Sequence, residues 1–156
     1  MNIKVAIADD QKLFRKGMAA LISSFVEMDL LFEAENGQEL LDKCRSEEIP
    51  DVVILDLSMP VLNGLETLKI LKEDFPIIKV IILTIHEAEN FVLSTIQAGA
   101  NGYLAKNAEP EDVEIAIREV YKNDFHFTMK MLELMRIGLV KKNQSPLLTN
   151  EDVLTN

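Results

Sequence analysis

Five side chains of this sequence could act together on a phosphoryl group: Asp9, Asp10, Asp56, Thr84 and Lys106. Carboxylates brought close together repel one another, and their pKa values rise unless a cation intervenes. An all-oxygen ligand set with retained waters suits a hard dication, magnesium before a transition metal. With that charge balanced, one carboxylate could attack phosphorus and become an aspartyl phosphate. Lys106 and Thr84 could then pair with phosphoryl oxygens. Taken singly, each has a plainer reading: Asp9-Asp10 as a helix cap, Asp56 as a loop acid, Thr84 as a strand-end hydroxyl, Lys106 as a solvated ammonium. Jointly they point to one site, because each of them closes an apolar run.

Those runs are short and β-branched, at 3–8, 30–34, 52–55, 79–84 and 102–105. The third and fourth are almost continuously apolar, as expected of parallel strands covered on both faces. Amphipathic segments lie between them. Leu13, Gly17, Leu21 and Phe25 predict the inner face of a first helix, Leu40 and Leu41 anchor a second, and Leu65, Leu68, Ile70 and Leu71 a third. Phe91, Val92, Thr95 and Ile96 mark a fourth; Val113, Ile117, Val120 and Tyr121 mark a fifth. Five strands alternating with five helices predict an α/β fold, a doubly wound parallel sheet with right-handed crossovers. Sites in such sheets form outside the carboxyl ends of the strands, where strand order reverses. An order of 2-1-3-4-5 makes the first and third strands neighbours. It gathers Asp9, Asp10 and Asp56 in one shallow pocket, with Thr84 and Lys106 across it. The segment from Ser58 to Gly64 predicts a shaped turn, with Pro60 fixing one backbone angle and Gly64 permitting a positive φ. Such a loop can offer a backbone carbonyl to a metal.

Composition narrows the function classes. The 156 residues carry 26 acids against 16 bases, a net charge of −10, the wrong sign for attraction to nucleic acid or an anionic membrane. The single cysteine, Cys44, excludes an internal disulfide and a Cys-based zinc site and fits a reducing, cytoplasmic setting. No run approaches the roughly 18 apolar residues of a membrane helix, and Lys4 with Asp9-Asp10 breaks any secretory signal. Residues 1–122 hold 22 acids and 12 bases, whereas the remainder holds four of each. That shift predicts a main domain over 1–123 and a linker over 124–156. A short helix is expected at 127–140, carried by Phe127, Met131, Leu134 or Met135, and Gly138 or Leu139, before a linker stretch from Lys141 to Pro146.

With these residues in view, the chain resembles the receiver domain of bacterial two-component response regulators. The likeness runs from about Ile3 to Lys122. It rests on Asp9-Asp10, Asp56 followed by Met59-Pro60 and Asn63-Gly64, Thr84, Ala98-Gly99-Ala100, Tyr103 and Lys106. The resemblance implies a flavodoxin-like (βα)5 fold with Asp56 as phosphoacceptor. It implies Mg2+ held by Asp10, Asp56, the Ser58 backbone carbonyl and, through water, Asp9. Thr84 and Lys106 would contact the phosphoryl group, and Tyr103 would change rotamer on activation. The donor would be a cognate histidine kinase or a small acyl phosphate. Ser58 and His86 would flank the reaction centre and tune the phosphoryl lifetime. Asn107 stands where many receivers have proline, so a cis-proline is excluded there. That variant is similar to the LuxR-type subfamily of DNA-binding regulators.

Leu154-Thr155-Asn156 could open the Leu-Thr-x-Arg-Glu segment of such a DNA-binding domain, and Leu148-Thr149-Asn150-Glu151 is a poorer candidate. The expectation is a receiver and linker, ending before a helix-turn-helix domain that alone would contact DNA, with a possible homodimer on phosphorylation. The expected activity is self-phosphorylation and autodephosphorylation only, not enzymatic turnover. Three rival readings compete with this one. A haloacid-dehalogenase-type phosphatase would want an acid where Ser58 stands. A flavodoxin-like cofactor binder would want a phosphate loop where Asp9-Asp10-Gln11-Lys12 stands. A stand-alone phosphorelay or protein-binding receiver would keep the site and discard transcription.

Overall fold

The computed structural model describes residues 1–85 and 89–143. Strands β1 (Ile3–Ala8), β2 (Met28–Ala34), β3 (Val52–Asp56), β4 (Lys79–Thr84) and β5 (Gly102–Ala105) alternate with helices α1 (Lys12–Ser24), α2 (Gly37–Ser46), α3 (Gly64–Asp74), α4 (Glu89–Gln97) and α5 (Pro110–Asn123). A sixth helix, α6 (Met129–Asn143), follows. The strands form one parallel sheet in the order β2-β1-β3-β4-β5, the architecture and order anticipated from the pattern.

Alternation along each strand divides the interior in two. Ile3, Val5 and Ile7 of β1 join Val52, Ile54, Ile81 and Leu83 beneath α1 and α5. Ala6 and Ala8 join Val53, Leu55, Val80 and Ile82 beneath the helices on the other face. Each fully buried aliphatic side chain contributes about 1.5–3 kcal/mol. Both faces of β3 are buried throughout, which is why its sequence reads as an unbroken apolar run.

The helices depart from the reading in detail. On α1 the buried residues are Arg15, Met18, Ala19 and Ile22, while Leu13 is 89% exposed and Gly17 faces solvent. Two rows of residues four apart run along this helix, and only docking on the sheet selects between them. Tyr121 likewise lies outward on α5. The stretch Lys141 to Asn143, taken as linker, ends α6. The remainder of that linker, Leu148-Thr149-Asn150-Glu151 and Leu154-Thr155-Asn156, lies outside the described residues.

The α6 helix is tied back to the domain. The His126 amide donates to the Asn101 carbonyl at 2.9 Å, extending the β5 edge by one bridge to Gly102. Met131 is buried in the same core cluster as Tyr103 and Val92, and the Gly138 backbone lies against the Leu93 side chain of α4. Among the described residues no helix is long and apolar enough to cross a membrane.

Candidate functional site

Register brings the polar strand ends together. Ala8 pairs with Leu55, so Asp9 and Asp56 leave the sheet side by side. Asp56 pairs with Leu83, Thr84 pairs with Ala105, and Lys106 follows directly. Carboxylate oxygens of Asp9, Asp10 and Asp56 all lie within 4.8 Å of one another. At that separation each pair of charges repels by on the order of 3 kcal/mol at an effective dielectric of about 20. Two of the three, Asp10 and Asp56, line a cavity of about 290 Å³ together with Gln11, Ser58, Thr84 and Lys106.

The Lys106 ammonium faces two of the three acids. Lys106 Nζ stands 3.2 Å from Asp9 Oδ2 and 3.4 Å from Asp56 Oδ2. It donates to Gln11 Oε1 at 2.6 Å and lies 5.0 Å from the centre of the Phe14 ring, a cation–π distance. Asp9 is fully buried. Its Oδ1 accepts the Gln11 amide at 2.8 Å, but Oδ2 has no hydrogen-bond partner, so its contact with Lys106 is one of charge alone. Burial first, and then the Asp9 charge, push Asp56 up to about 6 against the weaker pull of the Ser58 amide and Lys106. A buried carboxylate oxygen without a hydrogen bond, in an all-oxygen cluster with surplus negative charge, fits a hard divalent cation.

The helix-cap reading of Asp9-Asp10 does not hold: Gln11 is the N-cap of α1, and Asp9 caps only the turn before it. Between β3 and α3 the glycine acts differently from expectation. Gly64 takes a helical conformation, and the positive φ falls on Val61, at 69°. Val61 centres a γ-turn in which the Leu62 amide donates to the Pro60 carbonyl at 2.8 Å, an uncommon and strained geometry for a β-branched residue. Gly64 is required by proximity instead. A Cβ there would sit 2.4 Å from the Asp56 carbonyl oxygen and 2.5 Å from the Leu57 Cα. Its amide donates to the Leu57 carbonyl at 3.0 Å, and Asn63 caps α3 by accepting the Glu66 amide at 2.9 Å. Together these hold the backbone of Asp56 against the start of α3.

Thr84 is buried at the cavity wall, and its carbonyl accepts the Lys106 amide at 3.1 Å. Tyr103 is 1% exposed, with its hydroxyl hydrogen-bonded to Thr95 on α4. Burial raises the phenol above its ordinary value, and the Thr95 contact works against that. His86 lies outside the described residues.

Gln11, Phe14 and Arg15 were missed. Nothing local marks the first two, because Lys106 meets them from the far end of the domain, 95 residues beyond Gln11 in the chain. Arg15 left a signal: it shares the helix face of Met18, Ala19 and Ile22, where a charged residue is unexpected.

Comparison with known proteins agrees with this arrangement. Residues 5–118 match the response regulator receiver domain family. The chain is 36% identical to the transcriptional regulatory protein LnrK of Bacillus subtilis over 76% of its length and 54% of that protein's. It is 34% identical to the oxygen regulatory protein NreC of Staphylococcus haemolyticus over 99% of its length and 69% of that protein's. The chain thus spans between about half and about two thirds of these curated relatives. A LuxR-family two-component response regulator from Aurantimonas superposes with a TM-score of 0.80 at 23% identity, over 90% of this chain and 99% of that one, a likeness of fold.

Proposed function

The chain belongs to the response regulator receiver domain family, and from that premise we propose that it is a phosphorylation switch in which Asp56 accepts a phosphoryl group from a sensor histidine kinase. The observation that carries this reading is the gathering of Asp9, Asp10 and Asp56 at the carboxyl ends of the strands, with Lys106 beside Asp9 and Asp56 and with Asp10, Asp56 and Lys106 lining one cavity. Asp10, Asp56, the Ser58 carbonyl and, through water, Asp9 would hold Mg2+, which when bound offsets negative charge on the phosphoryl oxygens. Asp56 attacks phosphorus, the phosphorus–nitrogen bond of the donor phosphohistidine breaks with its electron pair staying on nitrogen, and the departing imidazole takes a proton from water. A new acyl–phosphate bond remains on Asp56. Lys106 shifts from Gln11 and the carboxylates toward the phosphoryl oxygens, and the Thr84 hydroxyl supplies a further contact.

Phosphorylation adds about −1.5 to −2 charges beside groups that already repel one another, so the new contacts must be strong. Moving a two-state equilibrium from about 1:99 to 99:1 takes roughly 5.5 kcal/mol, within reach of a few charge-assisted hydrogen bonds of about 1.5–3 kcal/mol each. Movement of Thr84 frees space beside Tyr103, whose hydroxyl is bonded to Thr95. The change therefore passes to the face formed by α4, β5 and α5. We assign residues 1–123 to the switch and 124–156 to a linker. The name of the relative LnrK, a transcriptional regulatory protein, supports a transcriptional output, with DNA contacted only through a further domain and with phosphorylation favouring a homodimer. The protein would act in the cytoplasm and turn over no separate substrate.

Incubation with Mg2+ and acetyl phosphate, followed by intact-mass analysis and peptide mapping, tests the reading. One phosphoryl group is expected on Asp56, and none on a folded Asp56→Asn variant. Full labelling of that variant would refute the assignment.

A further inference from the structure

Arg15 projects from α1 toward the sheet and is only 7% exposed. A guanidinium so placed is costly unless its N–H groups are met. Here Nε donates to Glu33 Oε1 on β2 at 3.0 Å, and a terminal nitrogen donates to the main-chain carbonyl of Asp9 at 2.7 Å. Lys16 reaches the other Glu33 oxygen at 3.3 Å. Burial pushes the Glu33 carboxyl up, but the hydrogen bonds from Arg15 and Lys16 outweigh it and hold the group below its ordinary value.

The Asp9 carbonyl falls between two hydrogen-bonding systems. The Asp9 amide still belongs to the sheet, donating to the Ala34 carbonyl at 3.0 Å. The helix begins later, with the Arg15 amide donating to the Gln11 carbonyl at 2.9 Å. That leaves the carbonyl of the peptide joining Asp9 to Asp10 to the guanidinium. A peptide unit is a rigid plane, so turning this carbonyl changes ψ of Asp9 and φ of Asp10, the torsions that set one acidic side chain's base relative to the other's. We propose that Arg15, oriented by Glu33, is a positioning residue for the acidic cluster: it fixes the peptide plane between Asp9 and Asp10 and so sets the carboxylate spacing for a divalent cation. This inference rests on the reading that the cluster holds Mg2+.

Charge and geometry make opposite predictions. Arg15→Met leaves the Glu33 carboxylate without its main partner, and the added negative field by itself would tighten Mg2+ binding. Loss of the fixed peptide plane would weaken it. Isothermal titration of the full chain with Mg2+ and thermal melting in EDTA separate the two. Arg15→Met and the pair Arg15→Met/Glu33→Gln are expected to weaken the Mg2+ Kd about tenfold, the order found for outer-shell partners of metal ligands. Arg15→Lys keeps the charge but not the fork that reaches both partners, and is expected to weaken binding as well. Glu33→Gln, which can still accept from Arg15, should stay within about twofold of the unmutated chain.

A lowered melting temperature with unchanged Mg2+ affinity would reduce Arg15 to a structural residue and overturn the proposal, as would tighter binding by Arg15→Met. If Arg15→Met does not fold, the same criterion applies to Arg15→Lys. Absence of Mg2+ binding by the unmutated chain would sink the reading of the cluster and this inference with it. Unaltered binding in the variants would sink the inference alone.

Discussion

The two ends of the sheet treat buried polar groups in opposite ways. Where β4 and β5 begin, Asn101 Oδ1 accepts from the Val80 amide at 2.9 Å and from Lys72 Nζ at 2.7 Å. Its amide nitrogen donates to the Asp124 carbonyl at 2.9 Å, and Lys72 also donates to the Ile78 carbonyl at 2.9 Å. At the opposite end, Asp9 and Asp56 share the Lys106 ammonium with Asp10 beside them, and Asp9 Oδ2 accepts no hydrogen bond. Burial acts at both ends, lowering Lys72 as it raises Asp56. Only the first gives each of its buried polar atoms a hydrogen-bond partner. A satisfied network fixes structure. An unsatisfied one holds strain that a ligand can relieve, and such strain collects at functional sites.

The comparison predicts opposite signs for loss of the polar side chain of Asn101 at one end and of the Asp56 charge at the other. Asn101→Leu strands the Val80 amide, the Asp124 carbonyl and a Lys72 donor together, and should cost about 3–5 kcal/mol by denaturant titration. A loss below about 1 kcal/mol would show that the network is decorative. Gly64→Ala sets a methyl group against backbone at 2.4 Å and 2.5 Å, with no flexible side chain to give way. It should cost about 2–4 kcal/mol and slow labelling of Asp56 with acetyl phosphate.

Asp56→Asn should do the reverse and stabilise the Mg2+-free protein at pH 8 by about 1–3 kcal/mol. The sign follows from linkage. A carboxyl whose folded value is raised to about 6 weakens the fold above that pH, and the penalty is relieved as pH falls from about 6 toward the ordinary carboxylate range. The gain from Asp56→Asn should therefore shrink across that window. A gain that instead grows on acidification would contradict the assignment of an ionised, crowded Asp56. The smallest effect is expected at Thr95→Val, which removes one hydrogen bond of the buried Tyr103 hydroxyl and should cost about 1–2 kcal/mol. Its labelling by acetyl phosphate should remain close to that of the unmutated chain, since Thr95 lies on α4 rather than at the cavity.

Much of this was readable without coordinates, for a physical reason. Strands buried on both faces must be apolar throughout, so their ends announce themselves, and a parallel sheet sends every carboxyl end to one edge. The types and edge positions of Asp9, Asp10, Asp56, Thr84 and Lys106 follow from local pattern and the strand order. What the pattern left open depends on contacts between residues far apart in sequence. Leu13 and Met18 are equally plausible inward residues until α1 meets β1. Gly64 looks like a turn glycine until the Asp56 backbone is seen against it, and the positive φ then falls to Val61. Gln11 and Phe14 show no sign of their role until β5 delivers Lys106 to them. Composition and periodicity determined which side chains could do the chemistry and at which edge. Tertiary packing decided which of them are desolvated, which polar atom is left without a partner, and which neighbours hold the others in place, because those properties belong to pairs of surfaces and not to any stretch of chain.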